Sequence, residues 1–219
     1  MAEELACGTI DAGEEETAPS RLFEKVRSIS VFIFPDVEEF DFVGVYEVLG
    51  SVNTMLKDGI LKLERPLEID LLATETPIRC TNGLKVLPDK VSSDFAPYDL
   101  LIIPGGGGIR PLMADEVFLK KLREFARHHV ICSVCTGSLL LGAAGVLDGK
   151  KALTHQWYVE ELQAYAQPVK GRVHIDGNVV TAAGVSSSID LGLKLLELIF
   201  DASIARKVAE RLELPLGYY

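Results

Sequence analysis

Two side chains in this sequence stand where chemistry could be done: Cys135, in Ser133-Val134-Cys135-Thr136-Gly137-Ser138, and Asp41, in Phe40-Asp41-Phe42. A thiolate is a nucleophile, and a carboxylate at a sheet edge can serve as an acid or base. The surroundings of Cys135 suit that role. A β-like apolar run from His129 to Val134 ends in Cys-Thr-Gly, and a Leu/Ala-rich segment from Leu139 to Ala144 follows. Strand, sharp turn and helix in that order make a nucleophile elbow, which lifts one side chain to the sheet edge in front of unpaired helix N–H groups. Those groups and the positive end of the helix dipole are expected to favour thiolate over thiol. The alternative for Cys135 is packing, because free cysteine is among the most buried residue types. Thr136 and Gly137 suit an elbow, whereas a packing cysteine does not need them.

Asp41 also has two readings. Near the start of a helix an acid can cap the end or stabilise the dipole. At the C-terminal edge of a first strand, where open α/β sheets place their sites, it can serve chemistry.

Other clusters suggest other chemistries. Cys132-Ser133-Val134-Cys135 spells the C-x-x-C of disulfide exchange, but Cys132 falls inside the apolar run, so the two sulfurs are expected to be apart. His128 and His129 beside these cysteines do not form the spaced pairs of a zinc site, and no metal is expected. Gly105-Gly106-Gly107-Gly108 follows the apolar run Tyr98–Pro104. It lacks both the Gly-Lys-Ser/Thr of a phosphate loop and Gly-x-Gly-x-x-Gly, so no nucleotide cofactor is expected. Its expected use is as a loop against the elbow that adds a backbone donor to an oxyanion site; a plain turn is the alternative. His155 could serve Cys135 as a base or simply be a polar residue at a strand end.

The elements that must position these residues follow from hydrophobic pattern. Apolar runs at Ser28–Phe34, Leu67–Thr74 and Tyr98–Pro104 suit parallel strands buried on both faces. Helices are expected over Glu38–Leu49, with Phe42, Val45, Tyr46 and Leu49 as its buried stripe, and over Ala114–Arg127, Trp157–Ala166, Ile189–Phe200 and Ala202–Leu214. Asn82-Gly83 and Asp176-Gly177 mark hairpins within Ile78–Leu87, where Cys80 reads as a structural residue, and Gly171–Ala182. Strands alternating with helices make a parallel-sheet α/β sandwich. One domain is expected from 25 to 214, after an aperiodic, acidic and disordered tail at 1–24 and before a short tail at 215–219.

Bulk properties narrow the function. A chain of 219 residues, 48% apolar, can bury one generous core. A net charge of -10 without clustered Lys or Arg argues against nucleic acid. No apolar run approaches the roughly 18 residues of a membrane span, and no signal-peptide core is present, so a cytoplasmic protein with no membrane partner is expected. Cysteines at 7, 80, 132 and 135 form no disulfide framework, and reduced thiols are expected.

Taken together, Phe34-Pro35 with Phe40-Asp41-Phe42, Ile103-Pro104-Gly105-Gly106, Ser133–Ser138 with Leu141-Gly142-Ala143-Ala144-Gly145, Thr154-His155, Asp176-Gly177-Asn178 and Ala183-Gly184 ahead of Ile189-Asp190 resemble the DJ-1/PfpI superfamily. Within it they look most like the isonitrile (isocyanide) hydratase branch. The resemblance implies a flavodoxin-like three-layer sandwich and a homodimer acting on a small molecule. It implies that Cys135 is the nucleophile, Asp41 its acidic partner, and Thr136 a helper through its N–H or hydroxyl, with Gly105 and Gly106 supplying backbone donors. The implied reaction adds water to an isonitrile through a thioimidate on Cys135 and yields an N-substituted formamide. Other members suggest a glyoxalase or redox-sensing cysteine, or a ligand-binding module like those of AraC-type regulators. Thr136 stands where protease-like members carry His, so a peptidase is not implied. Asp41 replaces the Glu of members nearer DJ-1, in keeping with the hydratase branch. Gln156 and Ser186-Ser187-Ser188 depart from that branch.

Overall fold

The apolar runs pair into one sheet whose strand order puts the elbow strand next to the central one. The computed structural model describes residues 20–215. In chain order it comprises α1 (Ser20–Phe23), β1 (Ser28–Phe32), α2 (Glu39–Lys57), β2 (Glu68–Ala73), β3 (Ile78–Arg79), β4 (Lys85–Val86), β5 (Lys90–Val91) and β6 (Leu100–Ile103). Then come α3 (Ile109–Leu112), α4 (Glu116–Ala126), β7 (Val130–Val134), α5 (Gly137–Ala143) and β8 (Lys151–Ala152), followed by a 3-10 turn at Gln156–Tyr158. The last elements are α6 (Val159–Leu162), β9 (Gln167–Pro168), β10 (Val173–Asp176), β11 (Val179–Ala182), α7 (Ser187–Ile199) and α8 (Ala202–Arg211).

The seven-stranded sheet has the order β10-β11-β7-β6-β1-β2-β5. Every pairing in it is parallel except β10 with β11. Helices α2, α7 and α8 pack together on one side, and α4 and α5 pack against β7. Covered on both faces, β6 and β7 are buried at every position, which is why they read as unbroken apolar runs. The chain is thus an α/β, flavodoxin-like sandwich with a mainly parallel central sheet.

Several expectations are corrected. The fold begins before residue 25: Ser20–Phe23 is helical and Phe23 is fully buried. The remainder of the acidic tail, and residues 216–219, lie outside the described residues. The α2 helix runs eight residues past Leu49, to Lys57, and Tyr46 is exposed while Phe42, Val45 and Leu49 are buried. The helix expected over Trp157–Ala166 is reduced to the 3-10 turn and a single turn of α6 that ends at Leu162, the one deeply buried apolar side chain among the four residues of α6. The last helix stops at Arg211 rather than Leu214. Both hairpins form, with Gly83 at φ +99° and Gly177 at φ +65° in their turns. Among the described residues no helix is long and apolar enough to cross a membrane.

Candidate active site

Cys135 follows β7 and precedes α5 with φ +56°, in the left-handed region that a side-chain-bearing residue rarely occupies. Its backbone is held on all sides. Its N–H donates to the carbonyls of Ala182 at 3.2 Å and Ala183 at 2.9 Å, and its carbonyl accepts from the hydroxyls of Ser138 and Thr154, each at 3.1 Å. The strained turn is therefore fixed by groups from three segments. Gly137 is obligatory here, since a Cβ would lie 2.3 Å from the Ile103 carbonyl oxygen.

The sulfur sees three donors: the Thr136 N–H, the Thr136 hydroxyl and the Val185 N–H. Val185, at φ +20° in the loop before α7, has no signature in the sequence. Its contribution depends on how that loop folds back over the elbow.

Asp41, two residues after the start of α2, has no solvent exposure. Its Oδ2 accepts the Gly105 N–H at 2.8 Å. Its Oδ1 is buried and has no partner. Burial raises the Asp41 pKa from 3.8 to about 7, with a smaller push from Glu38 and opposition from the Gly105 N–H and the Cys135 thiol. The Cys135 thiol is pushed up to about 12, first by burial and then by the charge of Asp41, against the pull of its three donors.

The expected thiolate preference is thus corrected: α5 is only seven residues long, and desolvation plus a neighbouring carboxylate outweigh its N–H groups. The two sites act as one unit that retains a shared proton at neutral pH. An unpartnered buried carboxylate oxygen beside a thiol is costly in a fold and useful in a reaction.

The glycine loop also differs from expectation. The Gly105 N–H is spent on Asp41, and the Gly106 N–H donates to Thr136 Oγ1 at 3.1 Å. These donors hold the acid and the threonine in place; they are not free for a substrate oxyanion. A Cβ on Gly105 would sit 2.6 Å from Thr136 Oγ1 and 2.9 Å from Asp41 Oδ2, and one on Gly106, at φ +119°, 2.3 Å from the Asp36 carbonyl oxygen. The loop is glycine because the acid and the elbow close on it from both sides.

Above the sulfur lies a cavity of about 380 Å³, walled by Ile109, Tyr158, Trp157 and Val185 and bordered by Glu38 and Arg110. His155 lines it too, but its Nδ1 accepts the Trp157 N–H at 3.2 Å. Ser188, in the serine cluster, donates to the Phe40 carbonyl at 2.9 Å and lies where a Cβ on Gly44 would be, which seats α7 tightly against the helix carrying Asp41. Cys132 is sealed in β7, and Cys80, Cys132 and Cys135 are all free thiols. Among the described residues no group of three or more His, Cys, Asp or Glu is placed to hold a metal ion.

A buried acid fixed by a glycine loop beside an elbow cysteine on this sheet defines a class of protein. The chain belongs to the DJ-1/PfpI family, whose sequence model matches residues 27–198. It is 37% identical over 187 residues to an isonitrile hydratase of Pseudomonas putida, covering 84% of this chain and 77% of that one. It is 34% identical over 144 residues to protein DJ-1 homolog A of Arabidopsis thaliana, covering 62% of this chain and only 36% of the plant protein. The crystal structure of a THiJ/PfpI family protein from Pseudomonas syringae superposes with a TM-score of 0.73 at 27% identity, covering 97% of this chain and 84% of that one.

Proposed function

We propose that this protein hydrates a small isonitrile by cysteine catalysis. The observation that carries the proposal is Asp41: a carboxyl group without solvent exposure, fixed through one oxygen and unpartnered at the other, interacting with the Cys135 thiol. The similarity to an isonitrile hydratase supports the choice of substrate.

The terminal carbon of an isonitrile is attacked by sulfur and must gain a proton on that same carbon. With one proton shared between Cys135 and Asp41, the sulfur acts as thiolate and the carboxyl group as acid. The S–C bond forms as the Asp41 proton moves to carbon, giving a thioimidate and a carboxylate. Water then adds to the thioimidate carbon, giving one of its protons to Asp41 and the other to the imidate nitrogen, so that the adduct's oxygen carries the negative charge that drives collapse. Collapse expels the sulfur, which takes back the shared proton, and releases an N-substituted formamide. Thr136 and the Val185 N–H stabilise the sulfur as it carries charge at both ends of the cycle.

The test is turnover of a small alkyl isonitrile, followed by formamide formation, beside a 2-oxoaldehyde assayed for glyoxalase activity. Wild type should convert the isonitrile, and Cys135→Ala and Asp41→Asn should be inactive with unaltered circular dichroism. Turnover of the oxoaldehyde alone would replace this reading with the glyoxalase one.

A further inference from the structure

Among the residues lining the cavity over Cys135, Arg110 is the one arginine or lysine, and its charge is already committed. Its two terminal nitrogens meet the two carboxylate oxygens of Glu161, Nη2 with Oε2 at 2.8 Å. Its guanidinium lies 5.8 Å from the centroid of the Tyr158 ring. The pair links α3, which follows the glycine loop, to α6 on the opposite side of the mouth. A bidentate pair of this kind satisfies both partners and leaves no fork for a substrate carboxylate. Glu38, also at the cavity, is met by the Asn82 side-chain amide at 3.3 Å, which hydrogen-bonds it without neutralising it. The mouth therefore presents apolar walls and uncompensated negative charge.

We propose that the cavity selects substrates with an uncharged N-substituent and excludes those carrying a carboxylate, and that the Arg110–Glu161 pair together with Glu38 sets this rule. Exclusion by like charge is a specificity device that needs no contact tuned to the favoured ligand. The isonitrile as reacting group rests on the function proposed above; the charge rule does not.

The test therefore reads the cavity in two ways. The first is the alkylation of Cys135 by iodoacetamide and by iodoacetate, followed at that residue by peptide mass mapping, with glutathione as the reference thiol. Taking the ratio of the two rates cancels any general change in thiol reactivity. The wild-type preference for the neutral reagent should exceed that of glutathione at least fivefold. In Glu161→Gln, which releases the Arg110 charge into the mouth, the ratio should fall at least threefold. The double variant Arg110→Gln/Glu161→Gln should return to within twofold of wild type. A wild-type ratio equal to that of glutathione, or one unmoved by Glu161→Gln, overturns the proposal. The second reading is kcat/KM for an alkyl isonitrile against isocyanoacetate on the same variants, where Glu161→Gln should shift the preference toward isocyanoacetate. If the alkylation ratio moves while no isonitrile is consumed, the charge rule stands and the hydratase reading falls. If isonitriles turn over while neither ratio moves, the reverse holds.

Discussion

The N–H of Gly105 holds one oxygen of Asp41 at 2.8 Å and leaves the other buried with no partner. The loop is in turn anchored to the helix that carries the acid, because the Glu38 N–H donates to the Gly105 carbonyl at 2.9 Å. Acid and loop thus position each other, and three predictions concern what this mutual hold does to protons and to stability.

The first is thermodynamic. Asp41 is raised in the fold from 3.8 to about 7. Between those values the folded protein keeps a proton that the unfolded chain has released, so stability falls as pH rises through this window, and the loss is complete above about pH 7. The rise is worth up to about 4 kcal/mol, an order-of-magnitude ceiling for a group without solvent exposure. Asp41→Asn keeps an acceptor for Gly105 and cannot ionise. Its melting temperature should exceed that of wild type at pH 8, with the difference vanishing near pH 4; equal melting at both pH values would show that Asp41 is not strained.

The second concerns the thiol. The charge of Asp41 is one of the causes that lift Cys135 to about 12, so Asp41→Asn should move the pH profile of Cys135 alkylation by iodoacetamide downward, although it abolishes turnover. In wild type the productive form is the one that has lost one of the pair's two protons. Isonitrile kcat/KM should accordingly rise with pH through an apparent pKa near 7 that belongs to the pair. A profile falling through that range would mean that the doubly protonated form reacts.

The third addresses the loop. A Cβ on Gly105 would lie 2.7 Å from the Thr136 nitrogen as well as against Asp41, so Gly105→Ala must displace the acid, the elbow, or both. We expect kcat to drop at least tenfold with KM for a small isonitrile changed less than threefold, measured by steady-state kinetics. An alanine that costs stability but not kcat would make the loop's role one of packing alone.

How much of this was legible in the sequence follows from where each interaction has its partner. The strands were legible because both faces of β1, β6 and β7 are covered, which writes burial into consecutive residues such as Leu100–Ile103. The elbow was legible because Cys-Thr-Gly is a local requirement of a strand-to-helix turn. Asp41 could be proposed from its place after the first strand, but its raised pKa could not, since that depends on being enclosed by residues more than 60 positions away. The destinations of the Gly105 and Gly106 N–H groups, the Val185 N–H on the sulfur and the weak thiol acidity were illegible for the same reason. Trp157-Tyr158-Val159 misled because an apolar cluster at a pocket mouth, with Trp157 80% exposed, imitates the start of an amphipathic helix.

The fourth prediction separates the two functions of Thr136. Its hydroxyl accepts the Gly106 N–H at 3.1 Å and also faces the Cys135 sulfur, lowering the thiol pKa. Thr136→Val keeps the shape, orphans the partly buried Gly106 N–H and removes the donor to sulfur. An unsatisfied donor of this kind costs about 1–3 kcal/mol, which urea denaturation should register. Thr136→Ser restores both bonds and should recover stability and activity together, while Thr136→Val should also shift the Cys135 alkylation profile to higher pH. If valine destabilises the protein without moving that profile, the hydroxyl serves the loop and not the sulfur, and stabilisation of the thiolate falls to the Thr136 and Val185 N–H groups alone.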